Sequence, residues 1–197
     1  MTSYDHFIRL LVLIGFLIGG LLLTTLVSGL LMLASGMSLA DIMKMAQSGM
    51  GALSPGLTRG LLATQHLLIF ILPGLLFGLV FYQGKFLNGL NLDVHPGWQL
   101  SILGIFFLMA AYPLVNLSFL ANESIPLPAW ADKFESQAED TLKAILTMNT
   151  PVIFIFNLII IAILPGIGEE LILRGILQKQ IGLLFKSPVA AIWISAF

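Results

Sequence analysis

Residues 151–186 read PVIFIFNLIIIAILPGIGEELILRGILQKQIGLLFK. The fold turns on whether this stretch is one membrane span or a short helix followed by a charged loop. From Pro151 to Leu164 a helix rises only about 21 Å, short of the roughly 30 Å hydrocarbon core. The span therefore continues through Glu169 and Glu170, with Lys179 and Lys186 as anchors at the far interface. On a straight helix the two acids lie about 15 Å before Lys179. That depth is below the headgroups and not in a loop.

Ionisable groups held there are costly unless they are paired or face a water-filled cavity. Glu170 and Arg174 are spaced i,i+4 and share a helix face, so they are expected to form an ion pair. Glu169 is turned by about 100° from Glu170 and points elsewhere. One acid is then held by arginine and the other is available for chemistry. Pro165, Gly166 and Gly168 precede the acids. Proline removes a backbone donor and kinks a helix, and a helix restarting after such a break favours a carboxylate at its exposed amides. A broken helix inside lipid is tolerated only where protein or water satisfies its backbone. The expectation is a bent helix beside a wet cavity. The competing explanation is a structural salt bridge that ties helices together.

Outward from this stretch, three further apolar runs are long enough to cross: about residues 7–33, 61–82 and 98–120. A fifth run starts at Pro188 and ends at Phe197, about 15 Å of helix and half a membrane, so either the sequence is a fragment or its tail is a stub. The first run exceeds a signal-peptide core of about 7–15 residues and is expected to remain as a span. Hydrophobic residues make up 58% of the chain and charged residues 10%, against roughly a quarter charged in a soluble domain. The expected fold is therefore an all-α, polytopic transmembrane helix bundle with four full spans and the start of a fifth. Residues 1–150 hold N-terminal spans and amphipathic connections, and residues 151–197 begin the core that carries the Glu-Glu-x-x-x-Arg cluster.

The net charge of −1 supplies no basic field for nucleic acid. The absence of cysteine removes disulfides, thiolate catalysis and Cys-ligated zinc. Residues 39–46 and 131–148 are expected to form amphipathic surface helices, the second with Phe134, Ala138, Leu142 and Ile145 on one side. Asn88-Gly89 and His95-Pro96-Gly97 mark a turn-rich connection, and Trp98 and Trp130 occupy interfacial positions. Arg9, Lys85, Lys179 and Lys186 fall on one side of the membrane, and Lys44, Arg59, Lys133 and Lys143 on the other. Only Arg174 tips this balance toward a cytoplasmic N-terminus. Gly15-x-x-x-Gly19 and Gly74-x-x-x-Gly78 are read as packing signals, and Asn116 and Asn157 as interhelical hydrogen-bonding residues. No repeat of fixed period is evident, and Pro165–Gly168 has no evident counterpart in another span. His6, His66 and His95 are read as ordinary solvated or interfacial histidines. The acids at 132, 135, 139 and 140 are read as solvated, since their spacing is not that of a calcium loop.

Gly168-Glu169-Glu170-Leu171-Ile172-Leu173-Arg174-Gly175 resembles the first motif, Glu-Glu-x-x-x-Arg, of the CPBP intramembrane endopeptidases. This family includes CAAX prenyl protease 2 and the bacteriocin-processing, Abi-like membrane proteins. Ile194-Ser195-Ala196-Phe197 looks like the run-up to the family's second motif, Phe-x-x-x-His. The resemblance is sharp over about residues 165–197 and architectural before them. It implies an integral membrane protease of the bacterial inner membrane that acts on a membrane-associated protein or peptide. By resemblance, Glu169 is the general base that activates water, and Glu170 and Arg174 position it. Histidines from later motifs would complete the site, and His6, His66 and His95 do not fit those motifs, so the chain alone is expected to be inactive. The resemblance leaves metal dependence open; metal-free glutamate catalysis with no cofactor is the favoured expectation. Two other readings stay open: a non-catalytic scaffold or bacteriocin-immunity protein on the same fold, and a proton-coupled transporter. A transporter would show duplicated halves with matching broken helices.

Overall fold

The computed structural model describes residues 3–48, 53–83, 85, 89, 97–126 and 128–196. Asn88, His95 and Phe197 lie outside the described residues, as does the side chain of Trp130. The helices are α1 (Ser3–Ala34), α2 (Leu39–Ser48), α3 (Pro55–Tyr82), α4 (Gly97–Glu123), α5 (Ala129–Leu146), α6 (Pro151–Phe185) and α7 (Pro188–Ala196). Four of them, α1, α3, α4 and α6, are long and apolar enough to cross a membrane. Among the described residues no strand occurs.

The helix starts follow from local chemistry. Ser54 accepts the Leu57 N–H and Thr150 accepts the Ile153 N–H, and in each case a proline follows the cap. The second span thus begins at Pro55, earlier than its apolar run, because the cap rather than hydropathy sets the start. At α2 the capping is reciprocal: Asp41 accepts from Ser38 N–H and Oγ–H, while Ser38 Oγ accepts from Asp41 N–H.

α6 is one helix from Pro151 to Phe185, and it does not break at Pro165. The turn before the proline widens instead. Residues Ile159–Ile163 are π-helical, and Leu164 N–H donates to Ile159 O. A π turn moves the preceding carbonyls out of register with the ring, so the missing donor is absorbed without a gap. The same device occurs in α3, where a π turn at Leu67–Ile71 precedes Leu72-Pro73-Gly74. Ile-Leu-Pro-Gly therefore occurs twice, at 71–74 and 163–166, and the expectation that Pro165 has no counterpart is corrected. A four-residue match between two apolar runs is hidden by its surroundings until the backbone shows both turns.

α3 and α6 run parallel in a constant register. Arg59 meets Asn157 and Tyr82 meets Gln180, both 98 residues apart. Phe70 against Gly168 and Gly74 against Ile172 keep the same offset. α1 packs antiparallel along the pair, and the core it completes is Leu13, Phe77, Leu171, Ile172 and Ile176. The glycine that lets α1 approach is Gly20, where a Cβ would meet the Leu68 carbonyl and the Pro73 ring. A Cβ at Gly15 or Gly19 would meet nothing within 4 Å, so the first packing motif makes no close helix contact among the described residues. Gly74 is used, against Leu171 and Ile172. α4 is different: none of its residues is buried, and Asn116, read as an interhelical hydrogen-bonding residue, is exposed on it.

Candidate functional site

Glu169, Glu170 and Arg174 all lie on α6, inside the longest described span. From Glu170 to Gln178 the helix is π-helical. From Leu171 to Ile181 the buried residues come in adjacent pairs, Leu171 with Ile172, Gly175 with Ile176 and Gln180 with Ile181. That spacing of four to five residues is what a widened turn produces. The inner face is held by Gly168, where an added Cβ would come within 2.8 Å of Phe70 Cβ. This close approach sets the rotation of α6, and Glu169, Glu170 and Arg174 are left on its outer surface.

Arg174 Nη1 lies 2.9 Å from Glu170 Oε1, the ion pair expected from the i,i+4 spacing. The two side chains keep 73% and 54% of their accessible surface. Among the described residues, Glu169 forms no ion pair or hydrogen bond, and its side chain is exposed. The site is therefore an open helix face, not the enclosed wet cavity expected beside a kink. Two physical reasons account for the difference: the π turn removes the break, and no described helix covers this face. Among the described residues no group of three or more His, Asp or Glu is placed to hold a metal ion.

α7 folds back beside the π-helical stretch of α6. Ala191 is buried there, 3.4 Å from where a Gly182 Cβ would stand. The Glu-Glu-x-x-x-Arg segment and Ile194-Ser195-Ala196 are thus carried on neighbouring helices.

Sequence reasoning missed three features. Arg59 reaches across from α3: its Nε donates to Asn157 Oδ1 at 2.6 Å, and its Nη2 donates to the Ile145 and Thr147 carbonyls. Asn157, read as an interhelical residue, also donates to Ile145 O at 2.6 Å. A cation at the last carbonyls of α5 is favoured by the helix dipole, and this latch binds α5 to both spans. His6, read as a solvated or interfacial histidine, is buried against Gln180. His66 is half-buried, stacks on Phe70 and carries a buried Nδ1 without a hydrogen-bond partner among the described residues. It borders a groove of about 480 Å³ between α3, α5 and α6, lined mainly by apolar side chains such as Leu62, Phe134, Leu142 and Ile160. The amphipathic side read from the sequence of α5 faces this groove.

A family model described as type II CAAX prenyl endopeptidase Rce1-like matches residues 151–197. The match covers α6 and α7, and it bears out the resemblance carried by Gly168–Gly175 and the residues up to Phe197. Over this segment the chain is similar to a family of membrane proteases. No curated protein and no solved structure matches the chain.

Proposed function

We propose that the protein is an intramembrane endopeptidase in which Glu169 activates water against a peptide bond of a membrane-associated protein or peptide. The carboxylate of Glu169 takes a proton as the water oxygen bonds to the carbonyl carbon. It returns that proton to the amide nitrogen as the C–N bond breaks. Glu170 does not compete for the role, because Arg174 holds it as a charged pair. The observation that carries the reading is this division of two adjacent acids, one paired at 2.9 Å and the other without a partner among the described residues. The family match over the same segment supports it.

One observation favours a second reading, proton-coupled transport: the repeated Ile-Leu-Pro-Gly with its π turn. Against it, α3 carries Phe77 and Gly78 where α6 carries Glu169 and Glu170. Both helices also stay continuous, whereas transporter sites are built on unwound segments.

The test is cleavage of a membrane-anchored fluorogenic peptide by the full-length protein, with the later histidine motifs, in lipid vesicles, with vesicle proton flux followed in parallel. Glu169→Gln is expected to lower cleavage by about 10²–10⁴-fold at equal folded protein. Unchanged cleavage rejects the general-base role. Proton uptake that Glu169→Gln removes, with no cleavage by the unaltered protein, establishes the transporter instead.

A further inference from the structure

The first turns of α1, the last turn of α3 and the last turns of α6 meet at one end of the bundle. His6 Nδ1 donates to Gln180 Oε1 at 2.9 Å, and Gln180 Nε2 donates to the Tyr82 hydroxyl at 3.3 Å. His6 and Gln180 are both buried. This chain of bonds fixes the Tyr82 ring, and two cations from different helices settle on it. The Arg9 guanidinium lies 5.9 Å from the ring centre and 4.9 Å from that of Phe81. Lys179 Nζ lies 5.4 Å from the Tyr82 ring centre and donates to the Gly89 carbonyl at 2.6 Å. Both side chains are half-buried. Lys85 and Lys186, just past the ends of α3 and α6, are exposed. Asp5, one turn before Arg9 on α1, is the carboxylate at this end among the described residues. The acids of α2 and α5 lie at the other end.

Cation–π contact holds Arg9 and Lys179 in place without using up their donors. Among the described residues the Arg9 guanidinium donates no hydrogen bond, and Lys179 uses one donor of its three. The ordering entropy of both side chains is already lost before any ligand arrives, which favours binding. The location selects the ligand. Tyrosine and lysine at span ends mark the headgroup level, and basic sites between the ends of membrane helices hold anionic headgroups. We propose that Arg9 and Lys179, braced by Tyr82, bind the phosphate of an anionic phospholipid at the membrane surface. This assignment is independent of the proposed hydrolysis at Glu169.

The full chain, delipidated in neutral detergent, is titrated with phosphatidylglycerol, phosphatidylcholine or inorganic phosphate, and bound lipid is counted by native mass spectrometry. Phosphatidylglycerol is expected to be retained about tenfold more tightly than phosphatidylcholine. Arg9→Gln with Lys179→Gln is expected to remove that preference, and Lys143→Gln on α5 to leave it intact. A readout on the unaltered protein stands beside the variants: phosphatidylglycerol should slow amide exchange in residues 3–9 and 179–186. Equal retention of the two lipids overturns the proposal. So does a preference that survives the paired substitution, exchange protection confined to other helices, or competition by inorganic phosphate at the lipid's own concentration, which marks a site for small anions.

Discussion

At the scale of single residues, small differences of position separate a working group from a structural one. Glu169 and Glu170 are neighbours in sequence, yet the arginine one turn on reaches only Glu170 among the described contacts. Gly168, next to them, is where the packing of α6 on α3 leaves no room for a side chain. A Cβ at 168 would press on Phe70 Cβ, an atom close to the backbone that has little freedom to yield. Gly168→Ala is therefore expected to cost about 1–3 kcal/mol, read by denaturant unfolding in detergent. Gly166→Ala, with nothing within 4 Å, is the matched control and should stay close to the unaltered protein. Equal effects of the two would show that helix propensity, not the contact with Phe70, governs this stretch. The Glu170–Arg174 pair was legible from spacing alone, because i,i+4 neighbours on a helix meet whatever the rest of the fold does. The open setting of Glu169 was not, because it depends on which helices cover α6.

At the scale of elements, α5 shows how a surface helix is held. Its apolar side chains line a groove against α3 and α6, but its last carbonyls are held by polar groups, Arg59 and Asn157. Removing the amide leaves the Ile145 carbonyl and the Arg59 guanidinium each short of a partner. Asn157→Leu is expected to cost about 1–3 kcal/mol and to speed proteolysis within residues 124–150 while the spans stay intact. Cleavage at the unaltered rate would mean that apolar packing alone secures α5. The amphipathic pattern of α5 was readable because its period is local. Its latch was not, since Arg59 lies 86 residues before Ile145 and no pattern in either segment points to the other. α2 illustrates the opposite case. Ser38 and Asp41 cap it through bonds three residues long, and the hydrogen bonds from Ser38 hold the Asp41 carboxyl below its ordinary value.

At the scale of the whole molecule, the described core is a three-span assembly of α1, α3 and α6, and α4 stands outside it. Phe77→Ala, at a fully buried position, is expected to cost about 3–5 kcal/mol, whereas Phe107→Ala on α4 should leave the unfolding midpoint unchanged. A large effect of Phe107→Ala would show that α4 is part of the folding core. The number of spans, the course of α6 through its glutamates and the two amphipathic helices were determined by the sequence alone. Each is a sum along a single segment, set by how much apolar length lipid requires or by which residues share a local period. The parallel register of α3 on α6, the use of Gly20 in place of Gly15 and Gly19, the bond from His6 to Gln180 and the π turns that spare α6 a break were decided only by the tertiary structure. Inside lipid, helices gain little from hiding apolar surface from one another, so their partners are chosen by close fit and a few polar contacts. Fit is a property of two surfaces at once, and neither segment carries it by itself.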